Sequence, residues 1–333
     1  MRTLIGALLL ILTGALSCGM MEDFYEYSGA DFKTSIYIQG PTYLMNSHDG
    51  GRNFSIAAES ISLVDWYVNP FRELVTVDNA DALNNRIFIT RPDKGKILAG
   101  ALLMGSYTWK ALTAASNGDF YFCVYPSPDS YLWRLPAGGS TIQPVSNMAG
   151  FPFSGNAWRF WIINYNGLPL LFINDTVAQS LYVSRDGGYN FTQVIASPVF
   201  TWSVTDMTIH GQVIYLTTGS AVEGVYISAD GGANFVFNGT IGSINAITVD
   251  YRGRKYAASA SSISFSDDGT IWTPTNSPGP NTITDLAIDH TGRLYVLATT
   301  PPSFVVSDDR GGTWFELYPG MSGTRMQVVE YHD

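Results

Sequence analysis

One short pattern recurs along the chain and constrains its fold more than any other feature. Ser47-His48-Asp49-Gly50-Gly51-Arg52-Asn53-Phe54 is the first copy. Ser184-Arg185-Asp186-Gly187-Gly188-Tyr189-Asn190-Phe191 and Ser228-Ala229-Asp230-Gly231-Gly232-Ala233-Asn234-Phe235 follow it. Ser307-Asp308-Asp309-Arg310-Gly311-Gly312-Thr313-Trp314 is a fourth, and Ser266-Asp267-Asp268-Gly269-Thr270-Ile271-Trp272 is one residue shorter. Each reads as a strand ending at the Ser, a tight turn, and an aromatic that packs back into the sheet. An Asp in such a turn accepts hydrogen bonds from nearby backbone N–H groups, and glycines permit positive φ. Asp49, Asp186, Asp230, Asp268 and Asp309 are therefore read as turn anchors. A calcium loop needs several alternating oxygen ligands; these turns offer one or two carboxylates each, so no metal is expected.

The flanks extend the pattern. Ile87–Leu98 keeps the Asp and a Gly, and Leu132–Ile142 keeps only the paired Gly. Ser127-Pro128-Asp129 imitates the motif one loop too early. The turns then begin at 47, 91, 135, 184, 228, 266 and 307. That spacing is the size of a four-stranded propeller blade, on the order of 40–45 residues. Two short alternating strands joined by a Gly turn precede each turn, as in Ala246–Asp250 and Lys255–Ala257 around Gly253. The reading is an all-β, seven-bladed propeller of four-stranded antiparallel blades over 33–333, with no second domain. The first repeat has only three strands of its own. The tail from Thr324 to Tyr331 matches an innermost strand and is expected to complete blade one, closing the ring and removing an exposed edge.

The N-terminus carries an address. Arg2, an apolar run from Leu4 to Leu12 and the small residues up to Ser17 read as a signal peptide over 1–17. Ala15-Leu16-Ser17-Cys18 resembles a bacterial lipoprotein box, although the usual Leu lies three residues before the Cys. An ordinary signal peptidase cuts at the same bond. Either way Cys18 becomes the first mature residue; lipidation there would anchor the protein to the cell envelope, and otherwise it is secreted. Residues 18–32 read as a tether. The other cysteine, Cys123, is read as a buried small hydrophobe in a strand. The net charge of −10 with 18 Lys+Arg argues against nucleic acid as a partner.

In this architecture the repeated turns and the inner hairpin turns share one face. The opposite face is built from loops between blades and between second and third strands. All four histidines fall off that loop face: His48, His210 and His290 lie in turns, and His332 lies near the end. They are read as solvated turn residues. The loop face carries Trp109, Phe151, Phe153, Trp202, Asp129 and Asp175, candidates for gripping a ligand by aromatic stacking. Asp78, Asp81, Glu223, Tyr43, Tyr107, Tyr125 and Phe200 share those loops. Aligning the inner strands equates Asp65, Asp206, Asp285, Asn245 and Arg325 around the channel mouth. Asp65, Asp206, Asp285 and Arg325 are the candidates for acid/base chemistry, or else a structural seam of paired charges.

The repeated octet resembles the Asp-box, Ser-x-Asp-x-Gly-x-x-Trp/Phe, of the sialidase-like and photosystem assembly factor-like propellers. The resemblance covers nearly the whole mature chain, but its motif is structural. Sialidases bind the substrate carboxylate with arginines, the first in a Phe/Tyr-Arg-Ile-Pro motif. This chain has none; Asp31-Phe32-Lys33 is the nearest local sequence. Many sialidases also have six blades. Assembly factors of this kind share the blade number and lipoprotein-like export, but their expected basic patch is missing. The resemblance therefore implies a noncatalytic binding or scaffold module for a protein or glycan, with no cofactor. The alternative it implies is a glycoside hydrolase using loop-face carboxylates.

Overall fold

The repeated turns fix the outer hairpin of each sheet, and the inner hairpins do the rest. A computed structural model describes residues 32–59, 63–81, 84–92, 95–103, 108–125, 132–145, 158–176, 179–197, 204–219, 224–279, 282–321 and 323–332. The signal peptide, Cys18 and almost all of the tether lie outside them; the first strand starts at Phe32, one residue before the expected boundary.

Seven antiparallel sheets form, one per repeat. Blade two runs outward through Leu63–Val68, Leu74–Asp81, Asn84–Arg91 and Gly95–Leu103. Blade three uses Thr108–Ala114, Phe120–Tyr125, Leu132–Leu135 and Gln143–Pro144. Blade four uses Trp158–Tyr165, Leu168–Asp175, Ser180–Ser184 and Thr192–Gln193. Blade five uses Val204–His210, Val213–Thr218, Gly224–Ser228 and Asn234–Thr240. Blade six uses Ala246–Val249, Lys255–Ala258, Ile263–Ser266 and Thr273–Pro274. Blade seven uses Ile283–Ile288, Leu294–Thr299, Pro302–Ser307 and Phe315–Pro319.

Blade one contributes Phe32–Gln39, Tyr43–Ser47 and Ser55–Glu59, and its innermost strand is the C-terminal Arg325–His332. That strand pairs along its whole length, from Phe32 opposite His332 to Gln39 opposite Arg325. The inner strands touch in cyclic order from blade one through blade seven and back to one. Ring closure by the tail is thus as expected. Blade five departs from the four-strand rule: Ile195–Ser197, at the end of blade four, runs parallel to its outer strand Asn234–Thr240.

The core is divided rather than central. Among the described residues, each blade boundary holds its own apolar cluster. Phe172 and Val183 of blade four meet Leu216 and Phe235 of blade five; Ile38 of blade one meets Tyr295 and Phe304 of blade seven. Burying apolar faces between blades is the main stabilising term. Cys123 belongs to the cluster between blades three and four and is 1% exposed, and burial pushes its thiol up.

The four octets and the shorter copy at Ser266 form one turn. The Ser hydroxyl donates to the Asp Oδ1 at 2.7–3.0 Å. A Gly N–H donates to the Ser Oγ at 2.8–2.9 Å. The Asp Oδ1 also accepts an N–H from the start of the returning strand, as from Asn234 at 3.0 Å. Gly232 shows why glycine is required: its φ is 77°, and an added Cβ would lie 2.3 Å from Phe172 of the previous blade.

Candidate functional site

The inner strands of blades two, three, five and seven begin with a register shift at the channel mouth. Such a bulge re-aims the residue beside it. In three of the four, that residue is an aspartate: Asp65, Asp206 and Asp285. With Arg325 they border one channel of about 650 Å³. Tyr67, Arg159, Trp161 and Gln327 complete much of its wall. The structure therefore brings together the four residues singled out for acid/base chemistry.

Their hydrogen bonds show what they do. Asp206 Oδ1 accepts the N–H of Met207 at 2.8 Å, and its Oδ2 accepts that of Ile247, in the next blade, at 2.9 Å. Asp285 repeats the scheme with Leu286 at 2.9 Å and Met326, across the ring closure, at 2.8 Å. Asp65 Oδ1 accepts the N–H of Trp66 at 2.8 Å and the Nη1 of Arg325 at 2.6 Å. Arg325 also lies over the Trp66 ring, 5.1 Å from its centroid. Asn245, equated with these residues, donates to Ile283 O of blade seven at 3.0 Å, although it does not border the channel. Each of these side chains reaches from one blade to its neighbour.

Two further members of the same seam lie outside the four residues singled out for acid/base chemistry. Arg159 Nη1 donates to the carbonyls of Val204 and Thr205 at 3.1 Å each, bridging blades four and five. Gln327 exchanges two bonds with the backbone of Val68, bridging blades one and two. Arg159, opposite Asn174, holds in blade four the register position of the aspartates, whereas Gln327 lies two residues past Arg325 on the closing strand.

Burial pushes the carboxyl of Asp206 up to about 7, despite its two backbone donors and with Asp285 adding to the rise. Burial likewise pushes Asp285 up to about 6, against the backbone donors and Arg325. Acids raised this way are suited to proton transfer. Their oxygens are nonetheless occupied by structural donors, and Asp65 is held by a cation.

The aromatic platform is placed only in part. Trp109 lies in the inner strand of blade three, opposite Val124. Asp129, Phe151, Phe153 and Trp202 lie outside the described residues, as do Tyr107, Phe200 and Glu223. Asp175 is not on an open loop: it ends a strand, opposite Ser180, and is 0% exposed. Asp78 and Asp81 also belong to a strand rather than a loop, and Asp81 pairs with Asn84. His290 is not simply solvated either. Its Nδ1 lies 2.6 Å from Glu330 Oε1, tying blade seven to the closing strand. Among the described residues no three of His, Cys, Asp or Glu converge as metal ligands.

A closed ring of seven blades with a polar, cross-stitched channel mouth defines a β-propeller. No protein-family model matches the sequence, and no curated protein is similar to it. Solved structures share the fold. The Niastella koreensis GH74 enzyme is 15% identical with a TM-score of 0.63, covering 89% of this chain and 53% of its own. Saccharomyces cerevisiae Sqt1 is 12% identical with a TM-score of 0.60, covering 87% of each chain. PorZ, a surface component of the type-IX secretion system of Porphyromonas gingivalis, is 13% identical with a TM-score of 0.53, covering 86% of this chain and 38% of its own. This chain spans about half the length of the GH74 chain. At 12–15% identity these neighbours define the fold alone.

Proposed function

We propose that the protein is a noncatalytic, Asp-box propeller that binds a protein or glycan on its loop face, exported and held at the envelope through Cys18. One observation carries the noncatalytic reading: in Asp206 and Asp285 one carboxyl oxygen accepts the N–H of the following residue and the other accepts an N–H of the next blade, so both oxygens are engaged by backbone donors. A glycosidase needs two carboxyl groups free to protonate a leaving group and to activate water or attack. Asp65, bound to Arg325, is equally committed. The hydrolase reading is favoured by one fact, the raised carboxyls of Asp206 and Asp285 beside a channel.

One experiment separates them. The mature chain is offered to a glycan array, to envelope proteins by crosslinking, and to a panel of chromogenic glycosides. Saturable binding without turnover is expected. Turnover that disappears in Asp206→Asn or Asp285→Asn, with melting unchanged, would establish the hydrolase instead. The lipid-anchor reading predicts palmitate labelling in cells that is lost in Cys18→Ala; equal labelling of both would reject it.

A further inference from the structure

The inner hairpin turn of blade two differs from its relatives at one residue. In blades three, six and seven, Gly118, Gly253 and Gly292 each donate to the carbonyl three residues back at 2.9 Å. Their φ values are 86°, 84° and 83°. Blade two builds the same turn, with Arg72 donating to Asn69 O at 3.0 Å. Arg72 holds φ at 64°, where its sister blades use glycine. This left-handed region is disfavoured for any residue with a Cβ, and residues held there cluster at ligand sites and switches.

A second arginine shows what such a position looks like when its side chain is accounted for. Arg310 occupies a Gly position of the fourth octet at φ 61°. Its Nη2 lies 3.9 Å from Asp250 Oδ2 and 3.3 Å from the Tyr251 hydroxyl in the previous blade. Arg72 has no such acid: among the described residues no carboxylate lies within 4.0 Å of it. Its guanidinium lies over Tyr331 of the closing strand, 4.3 Å from the ring centroid. Stacking of that kind uses the face of the guanidinium and leaves its N–H edge available.

Arg72 lines a pocket of about 190 Å³, together with Tyr37, Asn46, His48, Thr90 and Arg91. The neighbouring acids are already engaged. Glu73 Oε1 accepts from Arg91 Nε at 2.5 Å. Asp49 accepts from Ser47, Arg52 and Asn53 in its own turn. The His48 ring is fixed by Ser35 Oγ at 2.6 Å and Asn46 Nδ2 at 2.9 Å. The pocket thus presents one uncompensated guanidinium and several polar groups, within a chain of net charge −10.

We infer that this pocket binds a small oxyanion, a carboxylate or phosphate group, through the guanidinium fork of Arg72. It lies on the octet side, opposite the loop face, and stands independently of the reading given for those loops. Bidentate pairing of arginine with either group is strong and geometrically specific. The backbone strain at Arg72 is the counterpart of holding that fork in place.

The test compares melting of the mature chain in orthophosphate, in acetate and in chloride at matched ionic strength. Wild type melts higher with orthophosphate or acetate than with chloride, and the effective anion identifies the group. Arg72→Gly, which installs the residue of the sister blades, loses that anion response. Absence of any response in wild type, or an unchanged response in Arg72→Gly, overturns the assignment. Should Arg72→Gly fail to fold, Arg72→Lys carries the test. It keeps the charge but loses the planar fork, and calorimetric Kd for the effective anion rises about tenfold; an unchanged Kd overturns the assignment.

Discussion

Two sets of aspartates occupy opposite ends of the propeller, and both hold backbone N–H groups. On the octet side, backbone and side-chain donation from Asn53, with Ser47, holds Asp49 well below the usual carboxylate range. The Thr313 hydroxyl and N–H hold Asp309 down at about 2. At the channel mouth, burial pushes Asp206 up to about 7 and Asp285 up to about 6. The same chemical group with comparable donors is shifted in opposite directions because one is solvated and the other is not. The reach also differs. Asp309 bonds within four residues along the chain, whereas Asp285 reaches Met326, 41 residues away. One set makes turns; the other joins blades.

That contrast can be broken most severely at the closure. Deleting residues 324–333 removes the inner strand of blade one together with the partner of Asp285. Cooperative thermal unfolding by circular dichroism should be lost; a truncated chain that melts like wild type would show that the octet turns alone hold the ring. Next comes Asp285→Ala, which orphans the N–H groups of Leu286 and Met326. An unpaired buried donor costs about 1–3 kcal/mol, which should appear in urea titrations. The smallest effect is expected from Asp309→Ala, whose turn is open to water that can replace the lost acceptor. A larger loss from Asp309→Ala than from Asp285→Ala would reverse the assignment of roles.

The pH dependence sharpens the same comparison. The channel acids have folded pKa values above their unfolded value of about 3.9. Their contribution is therefore fully present below about pH 4 and lost as pH rises through about 6 and 7. The octet acids are shifted the other way, so their contribution is present above about pH 4 and lost as pH falls toward about 2. The deficit of Asp285→Ala should accordingly be larger at pH 5 than at pH 8, and that of Asp309→Ala larger at pH 5 than at pH 2.

What was legible in the sequence follows this division. The octets state their own turn chemistry because every partner lies within a few residues. Their spacing then gives the blade count, and the three-stranded first repeat gives the closure. Asp65, Asp206 and Asp285 were recognisable because three blades use the same residue at the same register. The seam bonds of Arg159 and Gln327 were not, because they depend on which backbone groups face each other across a boundary. Blade two and blade three were harder still. There the inner hairpin acid reaches into the outer turn, as Glu73 does to Arg91 and Asp119 to the N–H of Ala137. That substitution keeps the turn while erasing its motif. The strain at Arg72 is a backbone property that no residue pattern states.

The parallel strand Ile195–Ser197 has a consequence for how the ring comes apart. Opening the boundary between blades four and five requires peeling this segment from Asn234–Val236 of blade five. Proteins open in cooperative units set by such connections. Blades four and five should therefore open as one unit, and amide protons along Asn234–Thr240 should exchange with those of blade four rather than as an independent outer edge.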